Sequence, residues 1–279
     1  MRLVSNSCMK LSSKILIVTP TLGTRQTLLE TCKSVRDIGG DKVEHIVTCP
    51  GKAINAVMGM VNGAEVVEEG KGKGVYAPVN HVLKMKAPHH EWVGYINDDD
   101  YWLPDMKRLI DSVSENSTSD VFYGRVLYIN EQGDPLIVGS SSNRFESVPI
   151  LAARGIFAIP QPATLIRSDL YLRLGGFDET LRLLADTDFW IRAIMGGAHC
   201  RFIDKVCATY RLQPGQLSGD TKAFKLETDR MLAQHGLRGD NWRGRIEEGR
   251  YRLENAKVYF TRLWQTKGGL RSRDLMGHQ

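Results

Sequence analysis

At 279 residues, 42% hydrophobic and 25% charged, the chain can bury a sizeable core, and its composition excludes disordered, fibrous and membrane-embedded classes. Its 37 basic against 32 acidic residues give a net charge of +5, much of it after residue 221, which suggests an anionic partner. No apolar run approaches the roughly 20 residues that span a bilayer, and the opening MRLVSNSCMKLSSK holds no apolar core of signal-peptide length, so a cytoplasmic location is expected.

The chain order of elements is legible from periodicity. Lys14 to Thr19 is a short β-branched run stopped by Pro20, which reads as a buried strand ending in a turn. Leu28, Leu29, Cys32, Val35 and Ile38 repeat at helical spacing, and Gly39-Gly40 closes that helix. Strands follow at Val43 to Thr48 and at Ala64 to Val67, then a loop Gly70-Lys71-Gly72-Lys73-Gly74, a helix from Tyr76 to Met85, and a strand from Glu91 to Ile96. Pro104 suits the first turn of a helix running to about Val113. Val121 to Ile129 reads as a strand before a turn at Gln132-Gly133-Asp134. Ser168 opens a helix ending near Gly175-Gly176, and Asp186 to Met195 is a helix stopped by Gly196-Gly197.

This order predicts an α/β fold with a mostly parallel sheet and helices on both faces, whose ligands sit at the carboxyl ends of the strands. After Ser218 the texture changes to charge-rich helices with a possible apolar stripe of Leu253, Val258, Tyr259, Leu263 and Trp264. The expected organisation is a tail at 1–13, a catalytic domain at 14–218 and a helical extension at 219–279. Five cysteines, Cys8, Cys32, Cys49, Cys200 and Cys207, form no CxxC pair and read as reduced thiols, and the seven histidines show no ligand spacing.

Asp98, Asp99 and Asp100 follow the Glu91–Ile96 strand directly. Three adjacent carboxylates raise one another's pKa or require a cation, and their hard oxygens suit Mg²⁺ or Mn²⁺, which commonly take one or two carboxylates plus diphosphate oxygens. A solvated acidic turn that caps the helix at Pro104 is the alternative; the strand-end position favours the metal. A second acid, Asp186, falls in the first turn of its helix, and Arg192, four residues after Asp188, is spaced to pair with it or to reach a phosphate.

The stretch Tyr95-Ile96-Asn97-Asp98-Asp99-Asp100-Tyr101-Trp102-Leu103-Pro104-Asp105 resembles the acidic DxD region of family 2 glycosyltransferases. The opening IVTPTLGTRQTLLETCKSV is similar to that family's first strand and helix, Gly74 to Asn80 to its GxxxAxN stretch, and Pro160 to Ser218 to its second half, so the resemblance covers residues 14–218 in order. It implies a GT-A (Rossmann-like) fold and inverting transfer of a sugar from a nucleotide-sugar donor to an acceptor hydroxyl. It also implies that Asp99 coordinates Mn²⁺ or Mg²⁺ with Asp100 beside it, that Asp98 lies nearer the ribose, and that Asp186 is the base that deprotonates the acceptor. Pro20 and Thr21 are expected beside the nucleotide, Arg192 and Arg211 near its phosphates, and Gln161 and Trp190 on the acceptor side.

Two departures from the family stand out. Gln213 replaces the histidine that completes the metal shell in many relatives, and Thr48-Cys49-Pro50-Gly51 lacks the aspartates that often hold the base and ribose. The base is therefore left open. A saccharide or glycoconjugate acceptor in polysaccharide synthesis is expected. The basic segment from Lys222 to Arg273 either rests peripherally on an anionic membrane or packs as a solvated appendage. A nucleic-acid acceptor has no supporting motif. Two rival readings stay open: a nucleotidyltransferase, for which Leu22-Gly23-Thr24-Arg25 is a partial signature, and a non-catalytic sugar-nucleotide or polyanion binding module.

Overall fold

The computed structural model describes residues 15–114, 118–213, 221–237 and 242–265; the expected tail at 1–13 and the domain edge at Ser218 lie outside them. Among the described residues the chain forms, in order, β1 (Ile15–Pro20), α1 (Leu28–Gly39), β2 (Val43–Cys49), α2 (Ile54–Met60), β3 (Glu65–Glu68), α3 (Tyr76–Lys86), β4 (Trp92–Tyr95) and α4 (Met106–Ser114). There follow β5 (Val121–Ile129), β6 (Pro135–Val138), α5 (Val148–Ala152), β7 (Thr164–Arg167), α6 (Ser168–Arg173), α7 (Ala185–Met195) and β8 (Cys200–Arg211). Three helices close the described chain: α8 (Thr221–Gln234), α9 (Trp242–Glu254) and α10 (Ala256–Gln265).

All eight strands belong to one sheet of order β3-β2-β1-β4-β7-β5-β6, with β8 paired to β5. The first four strands in that order are parallel neighbours, as is the β5/β8 pair. The sheet is thus mostly parallel, but β7 joins β4 and β5 antiparallel and β6 folds back on β5. Periodicity alone does not reveal these reversals, because an antiparallel return needs only a short turn. Here that turn runs from Asn130 to Asp134, with Gly133 in the left-handed region at φ 92°.

The strands alternate their side chains between two cores. Leu16 and Val18 of β1 face a core shared with α3, α5 and α7, whereas Ile15 and Ile17 face one built with Val35 of α1 and Met106, Leu109 and Ile110 of α4. Because β1 is buried on both faces it reads as a continuous aliphatic run. Each such side chain contributes about 1.5–3 kcal/mol on burial. The thiols of Cys32, Cys49, Cys200 and Cys207 are free, and burial pushes Cys32 and Cys207 up to about 12.

The carboxy-terminal helices pack onto this body. Met231 of α8 and Tyr251 of α9 enter the first core, and the buried Asn255 accepts a hydrogen bond from Arg125 on β5 at 2.7 Å and donates to the Ser141 carbonyl at 2.9 Å. The expected stripe is corrected by this packing. Gly244, Tyr251 and Asn255 form the inward line; Leu253 is 77% exposed, Val258 and Tyr259 are half-buried, and the side chains of Leu263 and Trp264 lie outside the described residues.

Candidate functional site

Strand order reverses beside β1: β2 lies on one side and β4, formed after two intervening helices, on the other. In parallel sheets a crevice opens at such a switch point, outside the carboxyl ends of the strands. The ends of β1 and β4 meet there. Pro20 is the last, buried residue of β1, and the hydroxyl of Thr21 donates to Oδ2 of Asp98 at 2.6 Å while its amide donates to the Thr48 carbonyl of β2 at 2.9 Å. The Thr21 hydroxyl also accepts the Gly23 amide at 3.0 Å, which turns the loop; Gly23 has φ 75°.

The acid trio is braced from the opposite side by β8. The Tyr101 amide donates to the Thr209 hydroxyl at 2.9 Å and the Thr209 amide donates to the Tyr101 carbonyl at 2.8 Å, and Trp102 bridges to Ala208. This long strand carries Arg211 and Gln213 to the acids. The Arg211 amide donates to Oδ1 of Asp100 at 2.7 Å, and the Gln213 side-chain amide lies 3.3 Å from Oδ2 of Asp99. The Arg211 guanidinium is 3% exposed and reaches the carbonyls of Asp99 (2.8 Å) and Glu131 (3.0 Å) and the carboxylate of Glu30 (2.7 Å). All three of its nitrogens thus have partners within the protein.

Asp98, Asp99 and Asp100 are all buried, Asp100 most deeply at 2% exposure. Burial raises the Asp99 carboxyl above its usual range; Arg25 opposes this and Asp98 adds to it. Asp100 is raised well above, by burial first and the Asp99 charge second, with the Arg211 amide opposing. The cation that meets the trio from outside is Arg25, whose guanidinium sits 3.0 Å from Asp98 and 2.6 Å from Asp99. Its Thr24-Arg25 position was legible only as part of the rival signature, since nothing local in sequence says which way a loop arginine points.

Asp186 lies at the start of α7, partly buried, accepting the Thr187 amide at 2.7 Å. Burial raises its carboxyl to about 6, against the lowering effect of the Thr187 and Asp186 amides and the Thr187 hydroxyl, with the Glu227 charge adding a small rise. Glu227, from α8, accepts the amides of Arg182, Leu183 and Leu184 at 2.6–2.9 Å, fixing the entry to α7. The Tyr76 hydroxyl donates to the Leu183 carbonyl at 3.4 Å and its ring packs edge-on against that of Tyr95, with centroids 6.2 Å apart; both hydroxyls are raised well above their usual range by burial, with the charge of Asp186 contributing. Because Tyr95 ends β4 three residues before Asp98, this tyrosine pair links the two acid sites.

Gln161 is buried and its side-chain amide donates to the Tyr95 carbonyl. Trp190, 2% exposed, lies beside it around a small void of about 10 Å³ that Tyr95 and Phe177 also line. Arg192 is engaged elsewhere: it pairs with Asp188 at 2.7 Å, the partner its spacing suggested, and donates to the carbonyls of Leu174 and Gly176 at 2.8 Å. Asn80 holds the approach to α7 by bonding both the amide and the carbonyl of Phe177. Gly176, at φ 84°, passes so close that a Cβ there would meet Asn80 Oδ1 at 2.7 Å. Where Thr48 to Gly51 lack an acid, β3 brings one: the Glu68 carboxylate lies directly against Gly51. Lys71 and Lys73 are exposed on their loop.

Among the described residues no set of three histidine, cysteine or acidic side chains forms a metal cage. The carboxylate oxygens of Asp98 and Asp99, which here meet Thr21, Arg25 and Gln213, are hard donors of the kind that suits a divalent ion.

The fold is that of glycosyltransferases of GT-A type. No family model matches the chain, and no curated protein matches it in sequence. Among solved structures it is similar to residues 1–349 of TarS from S. aureus, at a TM-score of 0.55 and 17% identity over 79% of this chain, and it spans 64% of that one. The same TarS fragment in complex with UDP-GlcNAc gives a TM-score of 0.55 and 17% identity, over 79% of this chain and 71% of that one. The mannosyltransferase PcManGT from Pyrobaculum calidifontis, in complex with GDP-Man and Mn²⁺, gives 0.52 and 16% identity over 92% of this chain and 76% of that one.

Proposed function

We propose that the chain is an inverting glycosyltransferase that moves a sugar from a nucleoside-diphosphate donor to an acceptor hydroxyl, with Asp186 as the base. The observation that carries this reading is the placement of two carboxylate sites on either side of Tyr95: the buried Asp98–Asp100 trio at the switch point, and the partly buried Asp186 with its carboxyl raised to about 6. A base of that pKa is ionised at neutral pH yet holds a proton well enough to take one from an attacking hydroxyl.

In this reading Asp99, with Asp98 beside it and the Gln213 amide 3.3 Å away, holds the metal, while Asp100 braces the trio against β8 through the Arg211 amide. Mg²⁺ or Mn²⁺ bound there would neutralise charge on the donor's diphosphate as it leaves. Thr21 and Pro20 line the nucleotide side at the end of β1. Glu68, over Gly51, supplies a carboxylate for the ribose or base where the Thr48–Gly51 segment has none. Arg25 is the exposed cation free to exchange between Asp99 and a donor phosphate. Arg211 and Arg192 serve the site by fixing its backbone. Gln161 and Trp190 shape the acceptor side through Tyr95. The complexes of similar folds with UDP-GlcNAc and with GDP-Man and Mn²⁺ support a nucleotide-sugar donor and a divalent ion.

A thermal-shift panel of nucleoside diphosphates with and without Mn²⁺, followed by turnover of the matching nucleotide-sugars, tests the reading. The expected result is stabilisation by one base in the presence of Mn²⁺ and release of that nucleoside diphosphate, abolished by EDTA and by Asp186→Ala. Turnover that survives both would overturn it, and release of pyrophosphate would assign a nucleotidyltransferase instead.

A further inference from the structure

We infer that α9 and α10 form a docking face for an anionic lipid surface. The two helices are nearly continuous, because the Asn255 amide bonds to the Tyr251 carbonyl at 3.1 Å and the Tyr259 amide to the Asn255 carbonyl at 3.0 Å, carrying the helical pattern across their junction. With 3.6 residues per turn, Trp242, Ile246, Leu253 and Phe260 fall on one line. Their exposures are 66%, 44%, 77% and 68%. The line points away from the body, opposite the buried Gly244, Tyr251 and Asn255.

The charges around this stripe are sorted by sign. Arg243, Arg250 and Lys257 run along one flank and Arg245 and Arg252 along the other, all exposed. Every exposed residue from Trp242 to Thr261 is apolar, basic, glycine or threonine. The acids of α9 turn inward: Glu248 holds Arg154 at 2.6 Å and Glu247 lies 3.5 Å from Arg144, both on the body. These same acids also touch Arg252 and Arg250 along the helix, which leaves Arg243, Arg245 and Lys257 as the cations with the greatest reach. Arg243 packs over the Trp242 ring at 5.5 Å, joining cation to apolar anchor.

An apolar stripe with an aromatic anchor, bordered by cations and cleared of acids, is the arrangement that lies in the plane of an anionic bilayer with its apolar side chains among the acyl chains. Cations on both sides of an apolar line match a surface that is anionic all around an apolar layer, as a lipid headgroup plane is. Among the described residues no helix is long and apolar enough to cross a membrane, so the contact is peripheral. This inference does not rest on the glycosyltransferase reading.

Flotation of the full chain with phosphatidylcholine vesicles, with and without 30% phosphatidylglycerol, tests it. We expect at least tenfold more protein to float with the anionic vesicles. Leu253→Glu with Phe260→Glu should reduce that tenfold, and so should Arg243→Gln with Lys257→Gln, which leaves the stripe intact and guards against misfolding of the first variant. Unfolding temperatures close to wild type verify both. Equal flotation with neutral vesicles, none with either, or a concentration-dependent dimer by ultracentrifugation that both variants abolish without vesicle binding would overturn the proposal.

Discussion

The Arg25 guanidinium lies 2.6 Å from Oδ2 of Asp99, so the loop after the first strand supplies a cation to the acid trio. Since the Arg25 side chain is 43% exposed, the pair is worth on the order of 1 kcal/mol. A divalent ion must displace this guanidinium or share Asp99 with it. Arg25→Ala should therefore tighten Mn²⁺ binding in the absence of donor by about fivefold, and weaken donor binding in its presence. Free Mn²⁺ followed by electron paramagnetic resonance reads the first, and donor KM the second. Unchanged metal affinity would show that the guanidinium does not compete.

Asp186 carries a cost that can be measured. Its carboxyl is raised from the ordinary 3.8 to about 6, so the folded chain binds this proton more tightly than the unfolded chain. Between those values the folded state holds more protons, and stability falls as pH rises through the window. Above pH 6 the deficit is complete, at about 2–3 kcal/mol. Asp186→Asn should raise the unfolding temperature at pH 7.5, lose that gain near pH 4, and lower turnover by about 10²–10⁴-fold. Scans at the two pH values separate this from a general packing effect.

Glu227 reaches the same carboxyl from another helix. It anchors the amides of Arg182, Leu183 and Leu184 and adds its charge to those that raise Asp186. Glu227→Gln keeps an acceptor oxygen but removes the charge. The acid limb of kcat/KM, expected near pH 6 in the parent, should move to lower pH, with a modest fall in unfolding temperature. A limb that stays in place would remove Glu227 from the chemistry.

Arg211 is expected to matter through structure. Lysine cannot reproduce contacts to the Asp99 and Glu131 carbonyls and the Glu30 carboxylate together, so Arg211→Lys should cost about 2–3 kcal/mol of stability. Chemical denaturation measures it. A variant as stable as the parent but defective in donor binding would instead mark Arg211 as a phosphate ligand.

Much of this protein is written locally. The aliphatic run of β1, the helical repeat of α1, the strand that leads into Asp98-Asp99-Asp100 and the helix that begins at Asp186 follow from side-chain period and from glycine and proline, which act within a few residues. The order of these elements was enough to place the acid trio at the carboxyl edge of the sheet, because parallel strands joined by helices leave that edge open.

Three things depended on the tertiary fold. The antiparallel insertion of β7, and the pairing of β8 with both β5 and the Tyr101–Trp102 segment, are contacts between residues up to 108 positions apart, which no local pattern encodes. The roles of the arginines were decided the same way: long side chains take direction from their neighbours, so Arg25 turned to the acids, Arg211 to backbone carbonyls and Arg192 to Asp188. The face of the carboxy-terminal helices was decided last, since composition shows that they are basic and partly apolar, but only packing against Asn255 and Tyr251 determines that Leu253 and Phe260 are turned to the outside.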